Sequence, residues 1–161
     1  MPILNFLLCS VVFTGFVYAA FRIRRGYKQR LDFFQDLVRF CDHLTTEIAF
    51  SKNCVEQVIR RYIDTYNPGF AEVLLKYSHL VAGKSDITQE SLRQFIDRDD
   101  VADFFFELGK HSSSEELEKI KSARLRFESH LTKARDKLSK EASVYFKICI
   151  ILGVGVVILL V

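Results

Sequence analysis

SSSEELEKIKSARLRFESHLTKARDKLSKEASVYFKICIILGVGVVILLV, residues 112–161, is the stretch whose reading decides the fold. Ser113 followed three residues later by Glu116 has the form of a capping box, and Ser112 with Glu115 offers the same pair one register earlier. Gly109, just upstream, is placed to end a preceding helix. No proline follows. Leu117, Ile120, Phe127, Leu131, Ala134 and Leu138 recur at three- and four-residue steps, so one face of a long helix is apolar. Glu118, Lys121, Arg126, Glu128, Lys133, Arg135, Asp136, Lys137 and Lys140 occupy the other face. After Lys147 the pattern changes to a run that is apolar all round. A continuous helix of about 48 residues would be roughly 72 Å long, far beyond an ordinary globular helix.

Working outward, the rest of the composition is split in the same way. The 161 residues suffice for one domain of ordinary size. A net charge of +3 averages over unlike regions, because every Lys, Arg, Asp and Glu lies between Arg22 and Lys147. The chain has no tryptophan and two prolines, Pro2 and Pro68, which suits long helices and disfavours an all-β fold. Cys9, Cys41, Cys54 and Cys149 form no CxxC pair, so neither a disulfide framework nor a zinc ribbon is expected. A reducing cytosol suits the charged middle.

Residues 3–21, ILNFLLCSVVFTGFVYAAF, carry no charge, and about 20 apolar residues span a bilayer. A cleaved signal peptide would need a positive n-region, which MPILN lacks. The positive charges come afterwards, at Arg22, Arg24, Arg25, Lys28 and Arg30, and by the positive-inside rule they keep the following segment cytoplasmic. At the other end, Ile148–Val161 alone is about 21 Å long, short of a bilayer core of roughly 30 Å. Counting back to Ala142 recovers the length if Lys147 snorkels and Tyr145 sits at the interface. The expected organisation is therefore an N-terminal transmembrane helix (1–21), a cytosolic helical bundle (22–141) and a C-terminal transmembrane helix (142–161), with both termini outside. Gly15 with Ala19, and Gly153 with Gly155, offer small-residue patches for close helix approach.

The middle reads as helices throughout. Leu31, Phe34, Leu37, Val38, Cys41, Leu44 and Ile48 form one apolar stripe. Asn53 with Glu56 resembles a cap for a helix through Val58, Ile59 and Tyr62. Asn67-Pro68-Gly69 breaks the chain before a helix that ends near Gly83. Asp86 or Thr88 can cap a segment carrying Leu92, Phe95 and Ile96, and Asp99 or Asp100 the next, which carries Val101, Phe104, Phe105 and Leu108. No stretch alternates with period two. The fold class is all-α, an antiparallel helical bundle with terminal membrane helices.

A catalytic constellation is missing from this pattern. His43 and Glu47 stand four apart and could share a metal, but no second pair completes a site, and no phosphate-loop, GxSxG or HExxH motif occurs. No cofactor, no metal and no enzymatic activity are expected. The basic cluster from Arg22 to Arg30 follows an uncharged run directly, so its meaning is membrane topology and anionic headgroups rather than nucleic acid. The run Phe104-Phe105-Phe106 covers about 200° of a helix circumference, more than one core-facing stripe. One of the three should face a partner or lipid. Glu47, Phe50, Phe104, Phe105 and Phe106 are the candidate partner-binding residues.

Two short motifs and their order along the chain give a resemblance. Leu44-Thr45-Thr46-Glu47-Ile48-Ala49-Phe50 is similar to an L-x-x-E-I-x-[YF] segment, and Phe104 with Leu108-Gly109 to an F-G-x-x-L-G element, of the stage III sporulation protein AB family. Ile120 matches an apolar position of that family, Phe105 stands in place of its glycine and Glu116 in place of its usual glutamine. The resemblance covers almost the whole chain. It implies an all-α unit similar to half of the inner-membrane platform of type II secretion systems, within the apparatus linking mother cell and forespore during endospore formation. The partners it implies are a cytosolic secretion-type ATPase and the membrane proteins of the channel, at the mother-cell membrane facing the forespore. A reading from another class is an oligomerising pore-forming or holin-like membrane protein, whose paired helices and small residues would support a homo-oligomer. A membrane-anchored sensor or enzyme is a third, disfavoured by the missing site.

Overall fold

A computed structural model describes residues 2–51, 55–83 and 87–160 of the chain, excepting the side chains of residues 2–9, 50, 51, 157, 159 and 160. The elements are α1 (Pro2–Ser51), α2 (Val55–Tyr62), a 3-10 turn (Ile63–Thr65), α3 (Pro68–Ala82), α4 (Gln89–Arg93), α5 (Asp99–Glu107) and α6 (Ser113–Leu160). No strand occurs among the described residues, and the fold class is all-α. The chain forms two compact units, one of residues 1–31 with 131–161 and one of residues 32–130. Helices α1 and α6 contribute to both.

The larger unit, 32–130, is built around an aromatic core. Phe34, Leu37, Phe40, Cys41 and Leu44 of α1 are buried, one apolar face at helical spacing, as the stripe in the sequence requires. Phe40 lies at 5.9 Å from both Phe70 of α3 and Phe105 of α5, ring centroid to centroid. Phe104 meets Phe127 of α6 edge-on at 5.3 Å. Four helices thus share one ring cluster, each buried ring contributing apolar area and a preferred edge or stacked contact.

Polar side chains fix the connections. Asn67 stands at the cap of α3 without a side-chain bond to the helix, and Pro68 opens the helix at a position where a missing N–H costs nothing. The buried Asp36 holds that corner, with Oδ2 accepting from Asn67 N at 2.8 Å and from Asn67 Nδ2 at 2.7 Å. Thr88 caps α4, its hydroxyl accepting from Ser91 N. Asp99 and Asp100, expected as caps, instead lie in the first turn of α5, where their charge faces the positive end of the helix dipole; Arg98 occupies the cap position. Gly109 adopts a φ of 85°, the left-handed conformation that suits glycine, just past the end of α5. At the start of α6 the expected Ser113–Glu116 box is not formed, because Ser113 is already the first helical residue and Ser112 stands at the cap, its carbonyl accepting from Glu116 N. Ser112 Oγ donates to Glu115 at 3.0 Å, while buried Glu116 reaches back to accept from Gly109 N at 2.8 Å. The caps expected at Asn53 and Asp86 lie outside the described residues.

The smaller unit, 1–31 with 131–161, is a helix pair. Phe16 lies against Gly153, Phe21 meets the Phe146 ring at 5.8 Å, and Tyr27 donates to Glu141 at 3.2 Å. Residue numbers that rise on α1 pair with numbers that fall on α6, so the two helices are antiparallel here. Small residues line the seam: Ala20, Ala142 and Gly153 are buried. A Cβ at Gly153 would sit 3.1 Å from Phe16 Cβ, whereas Gly15 and Gly155 have open space around them. The close approach expected at either end of the glycine-bearing runs is therefore made at Gly153 and not at Gly15.

Outward, the smaller unit is apolar toward its ends. Twelve of the fifteen large apolar side chains that are exposed among the described residues belong to it, including Val11, Ile151 and Ile158 at about seven-tenths exposure. Among the described residues, no helix is long and apolar enough to cross a membrane. The two expected spans reach beyond the described side chains, at 3–9 and at 157 and 159–161.

Candidate partner-binding surface

Each expected contact residue has a definite place, apart from the Phe50 side chain, which lies outside the described residues. Glu47 is buried between α1 and α2. Its Oε1 accepts from Arg61 Nη1 at 2.7 Å and from the Tyr62 hydroxyl at 2.9 Å, and this carboxylate raises the Arg61 guanidinium above its ordinary value. The buried carboxylate ties α2 to α1 through an arginine that is itself exposed, so removing Arg61 would leave Glu47 the buried charge with one partner fewer. Phe104 and Phe105 are core residues. Phe106 is the outward member of the run: it is half-buried, with Lys110 Nζ 3.1 Å from its ring centroid. Of the five residues, Phe106 is the one whose described side chain reaches a surface.

His43, four residues before Glu47, is engaged by protein groups. Its ring stacks on Tyr62 at 4.0 Å, and Nδ1 lies 2.7 Å from the Tyr66 hydroxyl. Burial pushes the Tyr66 hydroxyl well above its ordinary range, so it stays protonated and donates to Nδ1. Burial, with Arg39 adding to it, lowers the His43 value, and the imidazole is neutral near pH 7. No group of three or more His, Cys, Asp or Glu able to hold a metal occurs among the described residues. Cys41 is fully buried, and burial pushes its thiol up to about 12, which leaves it unreactive at neutral pH.

A groove of about 940 Å³ opens between α5 and the start of α6. Phe104 and Ala123 contribute its apolar floor, and its charged lining is acidic on balance, with Asp103, Glu107, Glu115 and Glu118 against Lys119 and Arg126. Lys119 Nζ bonds Glu107 at 2.6 Å, and with His111 it holds the Glu107 carboxyl below the usual carboxylate range. Leu125, also lining the groove, is 65% exposed, the most exposed large apolar side chain of this unit. The groove escapes sequence reading because its residues come from two helices, and because Leu125 lies off the apolar stripe of α6.

Charge separates the two units. Residues 1–31 and 131–161 hold ten basic and two acidic residues, a net charge of +8; as the whole chain carries +3, residues 32–130 carry −5. Arg22, Arg24, Arg25, Lys28 and Arg30 are all exposed on α1. A concentrated positive field of this kind suits anionic surfaces.

The family model for stage III sporulation protein AB matches residues 5–161. Neither a curated protein nor a solved structure matches the chain.

Proposed function

The chain belongs to the stage III sporulation protein AB family, and from that membership we propose that it is a non-enzymatic membrane platform subunit of the mother cell–forespore channel apparatus. In this reading the apolar ends of α1 and α6 form a two-helix anchor, the basic residues face cytoplasmic headgroups, and residues 32–130 form the cytosolic bundle. The observation that carries it is the sorting of the chain: exposed apolar side chains and the +8 charge on one helix pair, a closed aromatic core and −5 on the other unit. An anchor and a soluble body have these properties.

The mechanism is positional. The bundle offers a cytosolic secretion-type ATPase a fixed mount, and the acidic groove with Leu125 suits a basic, partly apolar surface of that partner. Phe106 under Lys110 supplies a second contact point nearby in sequence. Other channel membrane proteins would meet the helix pair. The holin-like alternative predicts ion conductance in liposomes, which a platform leaves tight.

The test is crosslinking in membranes of sporulating cells, followed by capture through a tag on the full chain. The platform reading predicts co-capture of a secretion-type ATPase, lost in the Glu115→Lys, Glu118→Lys double variant, whose positions are exposed and leave the core untouched. Capture of nothing but further copies of the chain would contradict it.

A further inference from the structure

Within the helix pair, a half-open pocket of about 320 Å³ is lined by Arg24 from α1 and by Arg135, Leu138, Ser139, Ser143 and Phe146 from α6, with both arginines and both serines exposed. We propose that this cavity is a binding site for the headgroup phosphate of an anionic glycerophospholipid, with Arg24 and Arg135 as its two cationic arms. The proposal rests on the reading of the helix pair as a membrane anchor.

Two arginines from different helices line one pocket, and neither has an ion-pair partner among the described residues. In the 32–130 unit Arg39, Arg60, Arg61, Arg93 and Arg124 each face a carboxylate, whereas Arg22, Arg25 and Arg30 of the helix pair, like Arg24 and Arg135, have none among the described residues. No acidic residue lines the cavity. Glu141, one residue from Ala142 at its edge, is occupied by the Tyr27 hydroxyl. Planar guanidinium forks match phosphate oxygens with two parallel bonds, the arrangement that makes arginine a phosphate ligand. The Ser143 hydroxyl has no hydrogen-bond partner among the described residues and can donate to a third oxygen.

Position fixes the class of ligand. Arg24 lies two residues inside the point where charge ends on α1, and Phe146 precedes Lys147, the last charged residue of α6. The cavity therefore sits at the boundary between charged and uncharged helix, where Phe146 and its edge-on neighbour Phe21 continue toward the apolar ends. A phosphodiester tethered to acyl chains meets both demands at once: oxygens on the arginines, hydrocarbon along the aromatic side. A zwitterionic lipid would bring its own cation to a site that already holds two, so an anionic headgroup such as phosphatidylglycerol is selected.

The test uses the full chain in phosphatidylcholine vesicles with and without a minor fraction of phosphatidylglycerol. Flotation with pure phosphatidylcholine checks the anchor alone; failure to float would overturn both the anchor and the site. For protein that floats, lipids retained after detergent extraction are counted by native mass spectrometry. Retention of phosphatidylglycerol over phosphatidylcholine is expected, and Arg24→Gln with Arg135→Gln should weaken it at least about tenfold, on the scale of losing the charge-assisted bonds of two guanidiniums to one phosphate. Lys28→Gln with Lys137→Gln removes the same charge outside the pocket and, with the anionic surface gone after extraction and no bond to the phosphate lost, should change retention by less than about threefold. Equal losses in the two double variants would overturn the site in favour of a diffuse field. Displacement of the lipid by millimolar inorganic phosphate would also overturn it, since the cavity would then be a free-anion site.

Discussion

Replacing Phe105 by alanine should open the aromatic core of the 32–130 unit, and Cys41 provides the readout. Phe105 is fully buried, stacked on Phe40 at 5.9 Å, with Tyr77 at 4.9 Å and Phe104 at 5.4 Å. Truncating such a ring costs about 3–5 kcal/mol, from lost transfer energy and the cavity left behind. That is a large part of the roughly 5–15 kcal/mol by which a domain is stable. At about 1.4 kcal/mol per tenfold, the open population rises about a hundredfold to a few thousandfold. Cys41 lies in the same core, fully buried, its thiol pushed up to about 12, and it reacts with an alkylating reagent only when the core opens. With Cys9, Cys54 and Cys149 replaced by serine, its alkylation rate in the full chain measures that opening. Phe106→Ala is the paired control. It removes a half-buried ring and one exposed cation–π contact of about 0.5–1 kcal/mol, and should change the rate by less than about tenfold. A Phe105→Ala rate within about threefold of the parent, or a Phe106→Ala effect as large as that of Phe105→Ala, would refute the assignment of the two rings.

Three further outcomes follow from the same geometry. Glu47→Ala should destabilise the bundle by removing the acceptor that joins the Tyr62 hydroxyl and Arg61 to α1, read as a lowered urea midpoint; an unchanged midpoint would return Glu47 to the surface. His43 has a value lowered by burial, so the unfolded chain takes up its proton first; stability from this group is complete above about 6.5 and falls as pH drops below it. His43→Gln should flatten that slope in urea titrations, and an equal slope in both proteins would assign it to other groups. Gly153→Leu should splay the helix pair and broaden the distance distribution between spin labels at the exposed positions 18 and 144, whereas Gly155→Leu, with open space around it, should leave it narrow.

Much of the fold was legible in the sequence. Asn67-Pro68 starts α3, Thr88 caps α4, Gly109 follows α5, and the proline-free run after Ser112 forms a single helix, because each signal is local and acts through backbone geometry. The candidate surface was legible only in part. Three consecutive phenylalanines must cover more than one stripe, but which one turns outward depends on how α5 is rotated against α1 and α6, and that phase is a tertiary property. Glu47 looks like a surface acid until Arg61 arrives from fourteen residues away, across a break in the chain. Asp36 likewise bonds Asn67 from thirty-one residues away, a contact no spacing rule contains. The groove needed two helices to exist. The cavity at Arg24 needed the antiparallel register, which brings it opposite Ser143 and Phe146.

The central claim is that the helix pair anchors an acidic cytosolic bundle to the membrane. It is tested most directly by protease protection of the full chain in sealed inverted membrane vesicles, in which the cytoplasmic face is outward. After carbonate washing to strip peripheral proteins, the chain should stay with the membranes. Trypsin should then remove residues of the 32–130 unit while leaving two protected fragments, one from each end. Release of the intact chain by carbonate, or complete digestion of both ends in sealed vesicles, would contradict it.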